Sequence, residues 1–300
     1  MADACIYLVA NNRSRRDFTN LVYSINNSGC KLPIFLIPFG GQPILAQELP
    51  SSVEIVDETF FPHEARDFVN HLSTKLYCPR GFLLRFLPFF GKYERFIYSD
   101  NDVVALCNWE EFIEKLDHCD IVHADEEYTT GSRYNFIDPL FAQTHFGPDF
   151  HAYAITAGHF AAKRSAHIVS SLNQALDWMV ANHTVCKMHD QTLLQLASYL
   201  GNLHSLNLCK PPHGWLSSWS GNYQNTLEIL HLLQQGKRIS HLHYSGGPTG
   251  AFRDPIDELL LSSLPPRSRL LLLLRCSFLS LSGVNAANRY ATKLKRKLSL

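Results

Sequence analysis

The sequence predicts an α/β protein built on a mixed, mainly parallel sheet flanked by helices. Three observations lead there: apolar runs alternate with segments of helical period, the turns between them are tight, and the first run is apolar throughout. Residues 4–10, rich in Ile, Tyr and Val, are a buried first strand. From Ser14 onward Phe18, Leu21, Val22 and Ile25 recur at i, i+3, i+4 and i+7, so a helix follows, ended by Asn26-Asn27-Ser28-Gly29. A second strand runs over 33–38, stopped by Gly40-Gly41, and a short third over 53–56. The largely apolar stretch 81–90 is read as a buried helix that delivers the chain to a strand through Phe96, Ile97 and Tyr98. Further strands are expected at 120–124 and 154–160. The stripe Ile168, Leu172, Ala175, Leu176 and Met179 makes 165–181 a helix, and another covers 190–200. No repeat or low-complexity linker interrupts the chain before Pro265-Pro266, which divides it into a domain over 1–260 and a helical, basic and apolar appendage over 261–300.

Composition bounds the function. A chain of 300 residues that is 46% hydrophobic and 18% charged has ample material for one large α/β domain. A formal net charge of zero argues against nucleic acid as a partner bound through the whole surface. The eight cysteines form no Cys-x-x-Cys pair, and several lie in strand-like runs, so they read as buried free thiols of a reducing compartment. Asp3 occupies the place where a secretion signal is basic, and the apolar run 270–281 is too short to span a bilayer and contains Arg275. These features predict a cytoplasmic protein. No acidic residue follows Glu258, whereas Arg267, Arg269, Arg275, Arg289, Lys293, Lys295, Arg296 and Lys297 do. Residues 267–297 therefore fit peripheral contact with the anionic inner face of a membrane, with docking on the domain itself or subunit pairing as competing roles.

The segment Arg95-Phe-Ile-Tyr-Ser-Asp-Asn-Asp-Val-Val104 carries the chemistry. Asp100 and Asp102 leave the end of an apolar strand two positions apart, so on extended chain they point to one face. Charges there are costly unless paired or metal-bound, and hard oxygen ligands suit magnesium or manganese completed by phosphate oxygens. The alternative for both is ordinary turn or cap chemistry before Asn108-Trp109-Glu110-Glu111. In open α/β sheets ligands collect beyond the carboxyl ends of the strands, which places Asn11, Asn12, Asp100 and Asp102 around one crevice.

The order of motifs resembles the GT-A fold glycosyltransferases, and within them family 8, the glycogenin and lipopolysaccharide galactosyltransferase group. The likeness runs from about residue 4 to about residue 260. It rests on Arg85 ahead of the acidic strand, Asp100-Asn101-Asp102, Thr156-Ala157-Gly158, Asp190-Gln191 opening a helix, and His243-Tyr244-Ser245-Gly246. Thr156 stands where the family has asparagine. Gly247-Pro248-Thr249-Gly250 lacks the family's phosphate-contacting lysine, for which Arg253 is a substitute.

The resemblance implies a metal-dependent, retaining hexosyltransferase that uses a nucleotide sugar, a UDP-hexose, and a glycan or lipid-linked acceptor. Asp100, Asp102 and His243 would hold Mn2+ or Mg2+, and Asn11, Asn12, Asn101 and the Gly246-Gly247 amides would contact the nucleotide. Arg85 would meet phosphate or donor sugar, Asp190 the donor hydroxyls, and Gln191 the region of the anomeric carbon. Each has a plainer alternative: a core or edge histidine for His243, a surface-paired helix arginine for Arg85, a helix cap for Asp190, and turn chemistry for Asn11 and Asn12. Asp125-Glu126-Glu127 fits acceptor orientation or, more simply, a solvated loop. Trp215, Trp219 and Tyr223 fit an acceptor-sugar platform or core packing. A sugar nucleotidyltransferase would need glycines where Ala10-Asn-Asn-Arg-Ser14 has none, and an Asp-x-Asp-x-Thr phosphatase would need threonine where Val104 stands. A degenerate GT-A domain that binds nucleotide or partner without turnover is the alternative function.

Overall fold

The computed structural model of the protein describes residues 3–40, 43–130, 132–224 and 226–245, together with positions 267, 270 and 274. In chain order the strands are β1 (Ala4–Ala10), β2 (Ile34–Pro38), β3 (Val53–Ile55), β4 (Arg95–Ser99), β5 (Val103–Ala105), β6 (Ile121–His123), β7 (His159–Lys163), β8 (Ser205–Asn207) and β9 (His241–His243). The helices are α1 (Arg15–Asn27), α2 (His63–Lys75), α3 (Arg80–Leu83), α4 (Glu110–Lys115), α5 (Pro139–Phe146), α6 (Ala166–Ala181), α7 (Asp190–Leu200) and α8 (Thr226–Gln234). Seven strands form one sheet in the order β3-β2-β1-β4-β7-β6-β8, in which only β7 runs against its neighbours β4 and β6. β5 and β9 pair antiparallel as a separate two-stranded sheet.

Every residue of β1 is buried because both faces of the sheet are covered. Cys5, Tyr7 and Val9 join the core beneath α2, α6 and α7, while Ala4, Ile6, Leu8 and Ala10 join the core beneath α1 and α4. Each Ile or Leu so enclosed contributes about 1.5–3 kcal/mol relative to exposure. The α1 stripe Phe18, Leu21, Val22 and Ile25 is buried as its spacing predicts, and the chain leaves the helix through Gly29 at φ +87°, a conformation glycine adopts without strain.

Two expected elements differ. The stretch 81–90 is helical but not a single α-helix: after α3 it tightens to a 3-10 helix over Leu84–Phe90, because Pro88 lacks the N–H that an α-helix would bond to the Leu84 carbonyl. The strand expected at 154–160 is shifted to β7, and 154–158 instead turns over the carboxyl end of β4, where Asp100 N–H donates to the Gly158 carbonyl at 2.7 Å. Helix α2 went unanticipated although Ala65, Phe68, Val69 and Leu72 keep helical spacing and are buried. The seven described cysteines are free. Among the described residues no helix is long and apolar enough to cross a membrane. Most of the appendage expected at 261–300 lies outside the described residues; Arg267, Leu270 and Leu274 are helical and exposed.

Candidate active site

β4 ends at Ser99 and hands the chain to Asp100-Asn101-Asp102 before β5 begins. The β5–β9 pairing sets Val103 opposite His243, with Tyr244 N–H donating to the Asp102 carbonyl at 3.0 Å, and on its other side His243 N–H donates to the Ser218 carbonyl at 2.8 Å. The result is a cluster in which one ligand atom each from Asp100, Asp102 and His243 lie within 4.8 Å of one another. His243 Nε2 is 3.4 Å from Asp102 Oδ1 and 4.0 Å from Asp100 Oδ2. Two carboxylate oxygens and an imidazole nitrogen at this separation fit a divalent cation of the magnesium or manganese type.

The imidazole reaches that position because residue 158 is glycine. A Cβ there would lie 2.1 Å from His243 Cε1. Gly158→Ala is expected to push the ring off the acids and weaken Mn2+ binding on the order of 10–100-fold with the circular dichroism spectrum unchanged, as loss of a ligand's orienting neighbour does. Titration calorimetry measures it. Behind His243, His159 and His241 meet with their rings tilted by 35° and centroids 4.0 Å apart, with Trp109 edge-on to His159 at 4.4 Å. Burial keeps both rings neutral, holding His159 at about 3.

Arg85, only 2% exposed, is the electrostatic counterweight. Its Nη2 donates to Asp100 Oδ1 at 3.1 Å and its Nη1 to the Ala157 carbonyl, while its Nε donates to the Phe82 carbonyl at 2.7 Å and lies 3.1 Å from Asp190 Oδ2 as an ion pair. The guanidinium also lies over the Tyr98 ring, 5.0 Å from its centroid, and the Tyr98 hydroxyl donates to Asp100 Oδ1 at 2.6 Å. Burial raises the Asp100 carboxyl and Asp102 adds to it, with Arg85 pulling the other way. Burial lowers the His243 imidazole, but Asp102 and Asp100 outweigh it and hold the ring above its usual range. A metal ligand must be neutral imidazole, so cation affinity falls as pH drops through that raised value.

The remaining expected residues divide. Asp190 opens α7, yet the capping side chain is that of His189, which accepts from Thr192 N–H; Asp190 faces Arg85 instead. Asn11 accepts from the amides of Arg13 and Ser14 as a cap, and Asn101 donates to the Val9 carbonyl and to Ser14 Oγ, tying the acidic loop to the end of β1. Asn12 is exposed. Gly246 and Gly247 lie outside the described residues.

A cavity of about 510 Å³ opens beside His243, walled by Gln191, Thr156, Glu127, Arg133, Ser217, Ser218 and, at its rim, Tyr134 and Trp219. The acidic segment on its wall is not a solvated loop. Asp125 is 3% exposed and fully engaged: Oδ2 meets His123 Nδ1 at 2.6 Å and Thr156 N–H at 3.1 Å, and Oδ1 accepts from Glu127 N–H at 3.0 Å. Burial opposes charge on Asp125, and His123 with these amides outweighs it, keeping the carboxyl below its usual range. Glu127 behaves oppositely: burial, with Asp125 adding to it, pushes its carboxyl up to about 7 against the pull of His243, Arg133 and a hydrogen bond from Gln191. Trp215 is core, edge-on to Phe112 and covered by Arg238, whereas Trp219 is 41% exposed at the cavity mouth. A second hollow, about 460 Å³, lies at the amino ends of β2 and β3, and no described carboxylate lines it.

Sequence reasoning missed Tyr98 as a site residue and weighed Glu127 only within the acidic run 125–127. Tyr98 stands two residues before Asp100 on one strand, which puts both on the same face. What distinguishes Glu127 from the rest of that run is its burial beside Asp125 and its neighbours Gln191 of α7 and His243 of β9.

No protein-family model matches the chain, and no curated protein matches it in sequence. Solved structures match it in shape. The apo bifunctional glycosyltransferase WbbM aligns at 12% identity over 91% of this chain and 51% of its own, with a TM-score of 0.61. The apo mouse xyloside xylosyltransferase 1 aligns at 12% identity over 81% of this chain and 98% of its own, with a TM-score of 0.50. The galactosyltransferase LgtC, in complex with donor and acceptor sugar analogues, aligns at 13% identity over 88% and 98%, with a TM-score of 0.47. The chain spans about half the length of the WbbM structure. Its architecture is the GT-A glycosyltransferase fold, a mainly parallel seven-stranded sheet flanked by helices.

Proposed function

We propose that the protein is a metal-dependent glycosyltransferase of the family 8 type, moving a hexose from a nucleotide sugar, a UDP-hexose, to a glycan or lipid-linked acceptor with retention of configuration. One observation carries this reading: Asp100, Asp102 and His243 converge beside a cavity of about 510 Å³ at the carboxyl end of a GT-A sheet. A Mn2+ or Mg2+ ion held there would offset the charge that the departing diphosphate gains as the glycosidic bond breaks.

The protein's own groups do the rest. Arg85 lies against Asp100 and Asp190 at once, and its charge opposes the burial that raises the Asp100 carboxyl. Gln191, Thr156 and Glu127 wall the space next to the cluster and bind and orient the sugar ring. Trp219 offers an exposed ring face at the mouth for an acceptor sugar, with the Ser217 and Ser218 edge beside it. Incubation with a panel of nucleotide sugars and Mn2+ is expected to release free nucleoside diphosphate slowly from one donor, and a chelator should abolish the release. Failure of every donor, together with no binding of any nucleoside diphosphate, would refute the reading. Tight diphosphate binding without turnover would assign a nucleotide-binding module instead.

A further inference from the structure

The turn that brings Tyr134 to the cavity rim is held by His189, Thr192 and Gln195, three residues apart along the start of α7. Gln195, fully buried, donates through Nε2 to Ser132 Oγ at 2.6 Å and accepts at Oε1 from Asn135 Nδ2. Thr192 Oγ1 donates to the Asn135 carbonyl at 3.1 Å. His189 Nδ1 accepts from Thr192 N–H, which leaves its Nε2–H to donate to the Tyr134 carbonyl at 3.0 Å. Ser132, 1% exposed, is held at φ +60°, a left-handed conformation that serine adopts only where its surroundings impose it. Buried polar groups bonded in this way specify one backbone path. The Tyr134 side chain that leaves this path is 43% exposed. The Arg133 guanidinium lies 5.1 Å from its ring centroid, and Arg133 Nη2 donates to its hydroxyl at 3.2 Å.

Trp219 reaches the same rim from a different loop and is fixed independently. Its backbone bridges in parallel to His243, and its ring lies against Gly221, where a Cβ would come 2.5 Å from Trp219 Cζ2. Asn222 Nδ2 ties that loop to Glu126 Oε2 at 2.8 Å. We propose that Tyr134 is a specificity-determining residue that contacts the acceptor together with Trp219, that Gln195 positions it, and that the acceptor these rings take is a glycan. This deepens the transferase reading and rests on it. The rim also carries Arg133, Ser217, Ser218 and Asn222. A sugar suits this mixture, because its C–H face covers a ring while its hydroxyls pair with guanidinium, hydroxyl and amide groups. A hydrocarbon chain would cover the same polar groups without pairing them. Tyr134 is fastened to the helix that bears Gln191, and Trp219 to the strand that bears His243, so both rings keep a set position relative to the candidate ion site.

A surface bearing a panel of di- to tetrasaccharides, overlaid with the full chain, UDP and Mn2+, tests this. The native protein should be retained on a subset of the glycans. Tyr134→Leu and Trp219→Leu should each weaken retention on that subset about tenfold, whereas Tyr134→Phe, which keeps the ring, should stay within about threefold of native. Gln195→Met removes the bonds to Ser132 and Asn135, and Ser132→Gly keeps the backbone angle accessible while deleting the Oγ anchor. Both should weaken glycan retention several-fold while their affinity for UDP with Mn2+ stays at the native value. A purely structural role for Gln195 would instead lower the two together, and if Gln195→Met does not fold, Ser132→Gly carries the comparison. Native protein retained on no glycan, Tyr134→Leu retained like native, or Tyr134→Phe failing as badly as Tyr134→Leu overturns the proposal. So does retention on phosphatidylglycerol vesicles in place of glycans, lost in Tyr134→Leu, which would assign the rim to lipid. UDP binding by the native protein keeps the transferase reading intact in each of these cases, and its failure removes that reading and the proposal with it.

Discussion

Arg85→Leu is expected to cost about 3–5 kcal/mol of folding stability, because removing one member of a buried ion network leaves its partners charged and uncompensated. Both partners are mostly enclosed, Asp100 at 21% and Asp190 at 15% side-chain exposure, and the guanidinium also satisfies two backbone carbonyls. The thermal midpoint should fall on the order of 10 °C for a chain of this size. Mn2+ should restore part of the loss, since a cation at Asp100 replaces one compensation but not the one at Asp190. Acid should narrow the gap between variant and native protein, because protonated carboxyls no longer need a counter-charge. Arg85→Lys should rescue little: an ammonium cannot span two carboxylates and two carbonyls as the planar fork does. A thermal scan in which Arg85→Leu melts with the native protein would show that Asp100 and Asp190 are held by something else.

Asp102→Asn should separate function from stability. It removes a charged ligand atom from the cluster, so Mn2+-dependent affinity for UDP should drop about 100-fold or more, at least the upper end of what loss of a ligand's supporting partner causes. The fold should be indifferent, within about 1 kcal/mol, because the substitution relieves the repulsion that raises Asp100 while it removes the attraction that raises His243. Calorimetric titration beside a denaturant melt reads both quantities. Unchanged UDP affinity would remove Asp102 from the ion's coordination, and a collapsed fold would make it structural.

The parts of this molecule that periodicity governs were legible. β1, α1, α6 and α7 lie where their apolar spacing puts them, since each buries its apolar positions against the sheet. Asp100 and Asp102 were legible for a related reason: two carboxylates interrupting an apolar run announce a strand end. Where backbone polar groups serve the site, local pattern misleads. Ala154-Ile-Thr-Ala-Gly158 reads as strand, yet its amide at Thr156 serves Asp125 and its carbonyl at Gly158 serves Asp100. Arg85 reads as a phosphate ligand by position, and only the fold reveals that its donors already have carboxylate and carbonyl partners. Glu127 was visible only as one member of the acidic run 125–127, because part of its environment comes from chain more than sixty positions away, at Gln191 and His243.

The small β5–β9 ribbon has a consequence for biosynthesis. Asp102 emerges early from the ribosome and His243 late, and they meet only through the Val103–His243 register. Until β9 has emerged, a nascent chain has two of the three donors and no strand to aim the third. Half-made protein cannot assemble the complete three-donor cluster, and any cleavage product that ends before β9 inherits the same incapacity.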